Sequence, residues 1–199
     1  MGDHFAIASW ARDAVIAGSL DALRSPLASL ASHRYEDLPS GGWVEPMARL
    51  QAAARLTSTA ATLQVAAVGV ATMARVCGEC HVENHAGPRL PEPPTPAKRR
   101  ASETLSERMG QHLWASELLW EGLIGPSEAT WKAGSARLIE APAQLDAVLP
   151  SNFDARLREL RSLGEKAGEA GNLAARADVY AALITTCAGC HSRWIESEG

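Results

Sequence analysis

Cys77-Gly78-Glu79-Cys80-His81 closes an alanine-rich apolar stretch that begins near Ala61, and Cys187-Ala188-Gly189-Cys190-His191 closes a second that begins near Leu173. The two C-x-x-C-H pentapeptides use all four cysteines of the chain. Two cysteines three apart on a helical turn lie on one face. The stretches before them are rich in helix formers, so each motif is predicted to sit near the end of a long helix.

C-x-x-C-H is the attachment pattern of c-type haem. Two vinyl groups on one side of the ring must each meet a thiol, and the histidine after the second cysteine comes under the ring, where its imidazole can bind iron. Cys77, Cys80, Cys187 and Cys190 are therefore expected to hold two covalent haem c groups, with His81 and His191 as the first axial ligands. A four-cysteine zinc site built from both pairs gives no reason for a histidine directly after each. A thioredoxin-like pair needs a strand-to-helix setting that these helical stretches do not offer. A simple disulfide within each C-x-x-C fits no better.

Composition agrees with a cofactor-filled helical protein. Hydrophobic residues make up 46%, yet there are only two Phe and two Tyr, so side chains supply little bulk for two cores. A haem in each would supply apolar volume. The length allows one or two small domains, and a formal charge of −4 argues against a nucleic-acid partner. The best apolar run, Val65 to Ala74, is too short to cross a membrane. Met1 runs straight into what reads as the first helix, without a secretory signal. Haem c is attached outside the cytoplasmic membrane in bacteria, so a periplasmic location is expected, with the signal segment absent from this sequence. A membrane anchor on that segment is compatible with the reading.

The chain repeats itself. Met1-Gly2-Asp3-His4 recurs as Met109-Gly110-Gln111-His112, Leu38-Pro39-Ser40 as Leu149-Pro150-Ser151, and the haem motifs follow in the same order, at offsets of 108, 111 and 110. Ile16/Ile124, Leu50/Leu160 and Leu63/Leu173 keep these registers. Residues 1–86 and 101–199 are expected as two like modules. Residues 87–100 between them, with Pro88, Pro91, Pro93, Pro94 and Pro96, read as an extended linker. Its Lys98-Arg99-Arg100 run reads as a solvated basic patch.

Four helices are predicted in each module. In the first they run from His4 to about Leu23, weakened at Gly18, then from Ser25-Pro26, from Val44 to Ser58, and from about Ala61 to Glu83. Pro39-Ser40-Gly41-Gly42 is the loop before the third. In the second they run from about Glu103 to Ile124, Ser127 to Glu140, Phe153 to Ala170 and Leu173 to Glu196, broken at Gly125-Pro126 and Gly171-Asn172.

A haem motif near the end of the fourth helix of an antiparallel bundle resembles the class II cytochromes c, the cytochrome c′ and cytochrome c-556 group. The resemblance covers each half separately and implies an all-α fold of two tandem antiparallel four-helix bundles. Trp194, three residues after His191, stands where that family commonly has an aromatic; the first copy has Asn84 there. In the family the first helix covers the other face of the ring and either leaves iron five-coordinate or donates a methionine. Here His4 and His112 stand at matching positions near the starts of the two first helices and are expected as second ligands. Met1 and Met109, three residues earlier, compete with them.

Met47 and Met73 read as core residues, and His33 and His85 as exposed. Ala8 and Ala11 are expected to leave room for a ring; Ser116 and Leu119 hold the matching places in the second module, where Leu119 would pack more tightly. The six tryptophans fit haem packing and ordinary core packing equally well. Arg75 and Arg193, near the motifs, read as propionate partners or as solvated surface. The resulting expectation is an electron carrier, not an enzyme, passing electrons between a redox donor and acceptor, alone or within a respiratory or photosynthetic membrane complex. No nucleophile motif, phosphate loop, flavin or nicotinamide fingerprint is present. The competing classes are a gas-binding protein with an open site and, third, a dihaem peroxidase.

Overall fold

Hydroxyl and amide side chains start the helices. Ser19 accepts a hydrogen bond from the Ala22 N–H, Thr62 from Val65, Ser127 from Thr130 and Asn172 from Ala175, while Thr104 and Glu107 form a reciprocal capping box. These caps open α2 (Leu20–Ser32), α4 (Leu63–Glu83), α5 (Leu105–Ile124), α6 (Glu128–Leu145) and α8 (Leu173–Glu198); α1 (Gly2–Ile16), α3 (Val44–Ser58), α7 (Asp154–Glu169) and a 3₁₀ turn at Ser151–Phe153 complete the described elements. The all-α expectation holds, and no strand occurs among the described residues. The computed structural model describes residues 2–33, 42–93, 104–146 and 149–198, without the side chains of 2, 3, 144 and 194–198. Met1, Leu38 to Gly41, Pro94, Pro96, Lys98 to Arg100 and the side chain of Trp194 lie outside that description.

The first two helices differ from the sequence reading. Gly18 does not weaken one long helix but ends α1, because its φ of +76° is the left-handed conformation that glycine adopts without strain. The Gly18 N–H bonds to the Val15 carbonyl and the Ser19 N–H to that of Ala14, a Schellman turn. Helix α2 then starts at Leu20 under the Ser19 cap and runs through Pro26, one hydrogen bond short, because Leu23, Leu27 and Leu30 bury a continuous stripe. In the same way α6 continues past Glu140 and through Pro142 to bury Leu145.

Consecutive helices pack on one another within residues 2–83 and again within 105–198, and α4 packs along α8. Helices α1 and α5 each touch both α4 and α8. Small residues permit this: Ala66, Ala67, Val70, Ala71 and Ala74 of α4 and Ala177 and Ala181 of α8 are all buried. Apolar burial from both halves joins in one cluster rather than two, which answers the shortage of bulky side chains. Trp120 of α5 is fully buried there, its indole N–H on Ser9 of α1 at 3.2 Å and its ring 5.5 Å from that of Tyr180 on α8. Helix α4 is also long and apolar enough to cross a membrane, which the sequence reading had excluded from its shorter apolar run. Half of that window is buried against neighbouring helices, as in the core helix of a globular fold.

Gly78 is a tight point between the halves, since a Cβ there would overlap the Leu123 carbonyl of α5 and press on Leu173 of α8. A helix-interior Gly→Ala change ordinarily stabilises by about 1 kcal/mol. At exposed Gly110, with nothing near the added methyl, Gly110→Ala should raise stability by about that amount. Gly78→Ala should instead cost about 1–3 kcal/mol, because backbone must move. Paired urea titrations check the opposite signs.

Candidate cofactor sites in two cysteine-histidine cavities

The predicted residues converge in two groups. His4, Cys77, Cys80 and His81 line a cavity of about 310 Å³. His112, Cys187, Cys190 and His191 line a second of about 240 Å³, continued by a hollow of about 400 Å³ that shares Met109, His112, Cys187 and His191. Trp43/Phe153, Met47/Leu157 and Leu50/Leu160, each 110 apart in sequence, line corresponding walls. The repeat therefore extends to the cavities themselves. The four thiols are unpaired, and each C-x-x-C lines its own cavity. Among the described residues no three His, Cys, Asp or Glu gather as a metal cluster, so the two pairs do not build a four-cysteine site.

Each motif histidine is anchored through one ring nitrogen to the other half of the chain. His81 Nδ1 lies 2.8 Å from the Ile124 carbonyl at the end of α5, and His191 Nδ1 lies 3.0 Å from the Ile16 carbonyl at the end of α1. A carbonyl only accepts, so Nδ1 donates in both, leaving the Nε2 lone pair for a metal. Burial pushes the Cys77 and Cys187 thiols up to about 12. They stay protonated and poorly reactive toward oxidation at neutral pH.

The two cavities differ where the second ligand is expected. His112 is 6% exposed, and its Nδ1 is buried without a hydrogen-bond partner, while Nε2 lies 3.8 Å from the Cys187 sulfur. Burial, with a smaller contribution from neighbouring His191, pushes its pKa down to about 4. At pH 7 it is a neutral imidazole, the form that binds metals. His4 is only half-buried, next to exposed Phe5, with its ring edge-on to exposed His33 at 6.1 Å. Met109 lines the second cavity beside His112, so both proposed donors of that half reach it. Met73 is core as expected, whereas Met47 lines the first cavity.

Several expectations need revision. Ala8 and Ala11 are buried in the core and do not line the first cavity, and Leu119 packs on Gly134. Arg75 pairs with Glu79 of the motif at 2.7 Å. Arg193 is exposed, in line with its reading as solvated surface, and donates to the Asn152 carbonyl at 3.4 Å. Of the tryptophans with described side chains, only Trp43 lines either main cavity. The described start of the proline-rich stretch, residues 87–93, is irregular and mostly exposed, with Pro88 and Leu90 in the first cavity's wall and Gly87 (φ +119°) against the His81 ring. His85 is exposed as expected.

Sequence reasoning missed Arg49 and Arg156. Arg49 bridges Glu79 and Glu83 at 3.1 Å each, and Arg156 lies beside Gly189 of the second motif. Asn84, which replaces the expected aromatic, ties the first motif to the start of α3 by donating to the Cys80 and Gly42 carbonyls. Comparison with protein families, curated proteins and solved structures finds no match to this chain. The chemistry of the two cavities carries the functional reading alone. The donor set fits a covalently tethered haem: two thiols on one helical face, an anchored imidazole, apolar walls and, in the second cavity, a buried imidazole nitrogen lacking a partner.

Because His112 resists protonation in the fold, an unfolded chain takes up its proton near pH 6.5 and the folded one only near 4. The stabilisation is complete above pH 6.5 and is lost as pH falls toward 4, about 2 kcal/mol of it between pH 7 and 5. Urea unfolding of the haem-free protein at those two values should register this loss, and His112→Leu should remove most of it.

Proposed function

We propose that the protein is a dihaem c-type cytochrome of two class II-like four-helix modules, and that it carries electrons between redox partners in an exported, periplasmic setting. The observation that carries the reading is the coincidence in each cavity of a C-x-x-C-H motif with the repeat-matched histidine of a first helix. Chance assembly of one such set is unlikely to be duplicated at equivalent positions. Cys77 and Cys80 would tether one haem and Cys187 and Cys190 the other. His81 and His191 would be the proximal ligands, and His4 and His112 the distal ones. When bound, haem iron supplies one-electron exchange between its ferric and ferrous states.

The side chains suit that task. Nδ1 anchoring fixes the orientation of each proximal ring and raises its basicity. Burial keeps His112 neutral, the form of imidazole that can bind iron. Leu145, Leu157 and Leu160 give the second site an apolar wall. The half-buried His4 beside exposed Phe5 favours a second reading for the first site alone, as a place where a diatomic gas displaces a weakly held ligand.

Expression with export and haem-attachment machinery should yield two covalently bound haems per chain, low-spin in the optical spectrum of both oxidised and reduced protein. Carbon monoxide should leave the second haem unchanged until His112→Ala opens it. A chain without covalent haem would overturn the assignment. Carbon monoxide uptake at the first site in the unmodified protein would select the gas-binding reading there.

A further inference from the structure

We infer that the two halves exchange ligand supports: the proximal histidine of each proposed haem site is positioned by the first helix of the opposite half, so that neither site is complete without the other module. This rests on the haem reading for its electronic consequence, but its geometry stands on the chain alone.

The exchange is reciprocal and follows the sequence repeat. His81 in α4 donates to the Ile124 carbonyl of α5, and His191 in α8 donates to the Ile16 carbonyl of α1. His81/His191 are 110 apart and Ile16/Ile124 are 108 apart, the offsets of the repeat. Both acceptors are last-turn carbonyls, which no intrahelical N–H satisfies. The turn after α1 uses the carbonyls of Ala14 and Val15 and leaves that of Ile16 to His191; the turn after α5 uses those of Glu121 and Gly122 and leaves that of Ile124 to His81.

Other contacts hold both acceptors in place. Gly18 closes the first turn with its positive φ and packs toward Ser192, the residue after His191. Gly125 closes the second beside Leu90 of the proline-rich stretch, and Gly87 of the same stretch leaves no room for a Cβ against the His81 ring. Each first helix thus joins the two sites. Helix α1 carries His4 near its start and the support for His191 at its end, twelve residues or about 18 Å along the axis. Helix α5 carries His112 and the support for His81. Ile16 and Ile124 are positioning residues that act through their backbone carbonyls. Hydrogen bonding at Nδ1 makes an imidazole a stronger donor to iron and favours the oxidised state. Loosening a carbonyl in one half must therefore raise the potential of the haem in the other.

The test uses the full holoprotein and Gly18, a first-half residue outside both ligand sets. Gly18→Val cannot hold a φ of +76° and should displace the Ile16 carbonyl, whereas Gly18→Asn tolerates the left-handed conformation while placing the same Cβ against Ser192. In a two-step redox titration, Gly18→Val should raise the step that His112→Ala also moves, leave the step that His4→Ala moves, and be reversed in Gly18→Asn. A shift confined to the His4-linked step, or no shift in a folded two-haem protein, would overturn the inference.

Nitrogen-15 spectra of histidine-labelled unmodified protein keep it testable if Gly18→Val fails to fold. Both rings should carry their proton on Nδ1, protected from exchange and in contact with residues 124–125 for His81 and 16–17 for His191. Unprotected or Nε2-protonated rings in haem-free protein would also overturn it. If the purified chain binds no haem, the proposed function falls, and the same ring protons still decide whether the supports are exchanged.

Discussion

Close approach of α4 and α8 governs the rest of the structure. It depends on side chains that are nearly absent: the alanines along both helices and Gly78, which sits against the backbone of α5. Larger residues on these faces would push the halves apart, and the imidazoles of His81 and His191 would no longer reach carbonyls that belong to the opposite half. The small-residue face that makes a single core possible from few bulky side chains is thus also what brings a hydrogen-bond acceptor to each motif histidine. Packing and site geometry are two results of one choice of residue size.

Helix ends supply the second half of that arrangement. A helix leaves its last carbonyls without internal partners, and the turns after α1 and α5 consume some of them and release one each, at Ile16 and Ile124. The serines that follow, Ser19 and Ser127, cap the next helices and fix where the chain turns. A capping pattern common in helical proteins thereby becomes part of a candidate cofactor site.

Much of this was legible in the sequence because it is written in side chains. The C-x-x-C-H motifs, the matching of His4 with His112, and the pairs Ile16/Ile124 and Leu50/Leu160 could be read from spacing, and the cavities bring the expected groups together. Helix α3 falls at the expected Val44–Ser58. The exchange between halves was not legible, because a backbone carbonyl has no side-chain signature and its partner is set by topology. The α1–α2 break was misplaced because Pro26 was weighted as a helix start over the glycine-serine turn before it. Proline fixes φ wherever it stands, but a buried leucine stripe outweighs one missing hydrogen bond. Composition reports the stiffness of the proline-rich stretch and not its contacts, so the place of Pro88 and Leu90 in the first cavity's wall was not legible.

The two cavities are related by the repeat but are not equivalent, and the difference has a direction. Phe153, Leu157 and Leu160 line the second, and burial lowers the pKa of its histidine to about 4. Trp43, Met47 and Leu50 take the same places in the first, but His4 there is half-buried beside an exposed phenylalanine. Burial disfavours added charge, whether a proton on an imidazole or the extra positive charge of an oxidised metal centre. On the proposed haem reading, the second site then holds an electron more tightly, and the first is the one nearer to a partner in solution. The shared helices α1 and α5 keep that difference from being two independent properties: each carries a histidine of one site and the support for a ligand of the other. Each site's geometry therefore depends on a helix of the opposite half, and the difference between the two belongs to the whole chain.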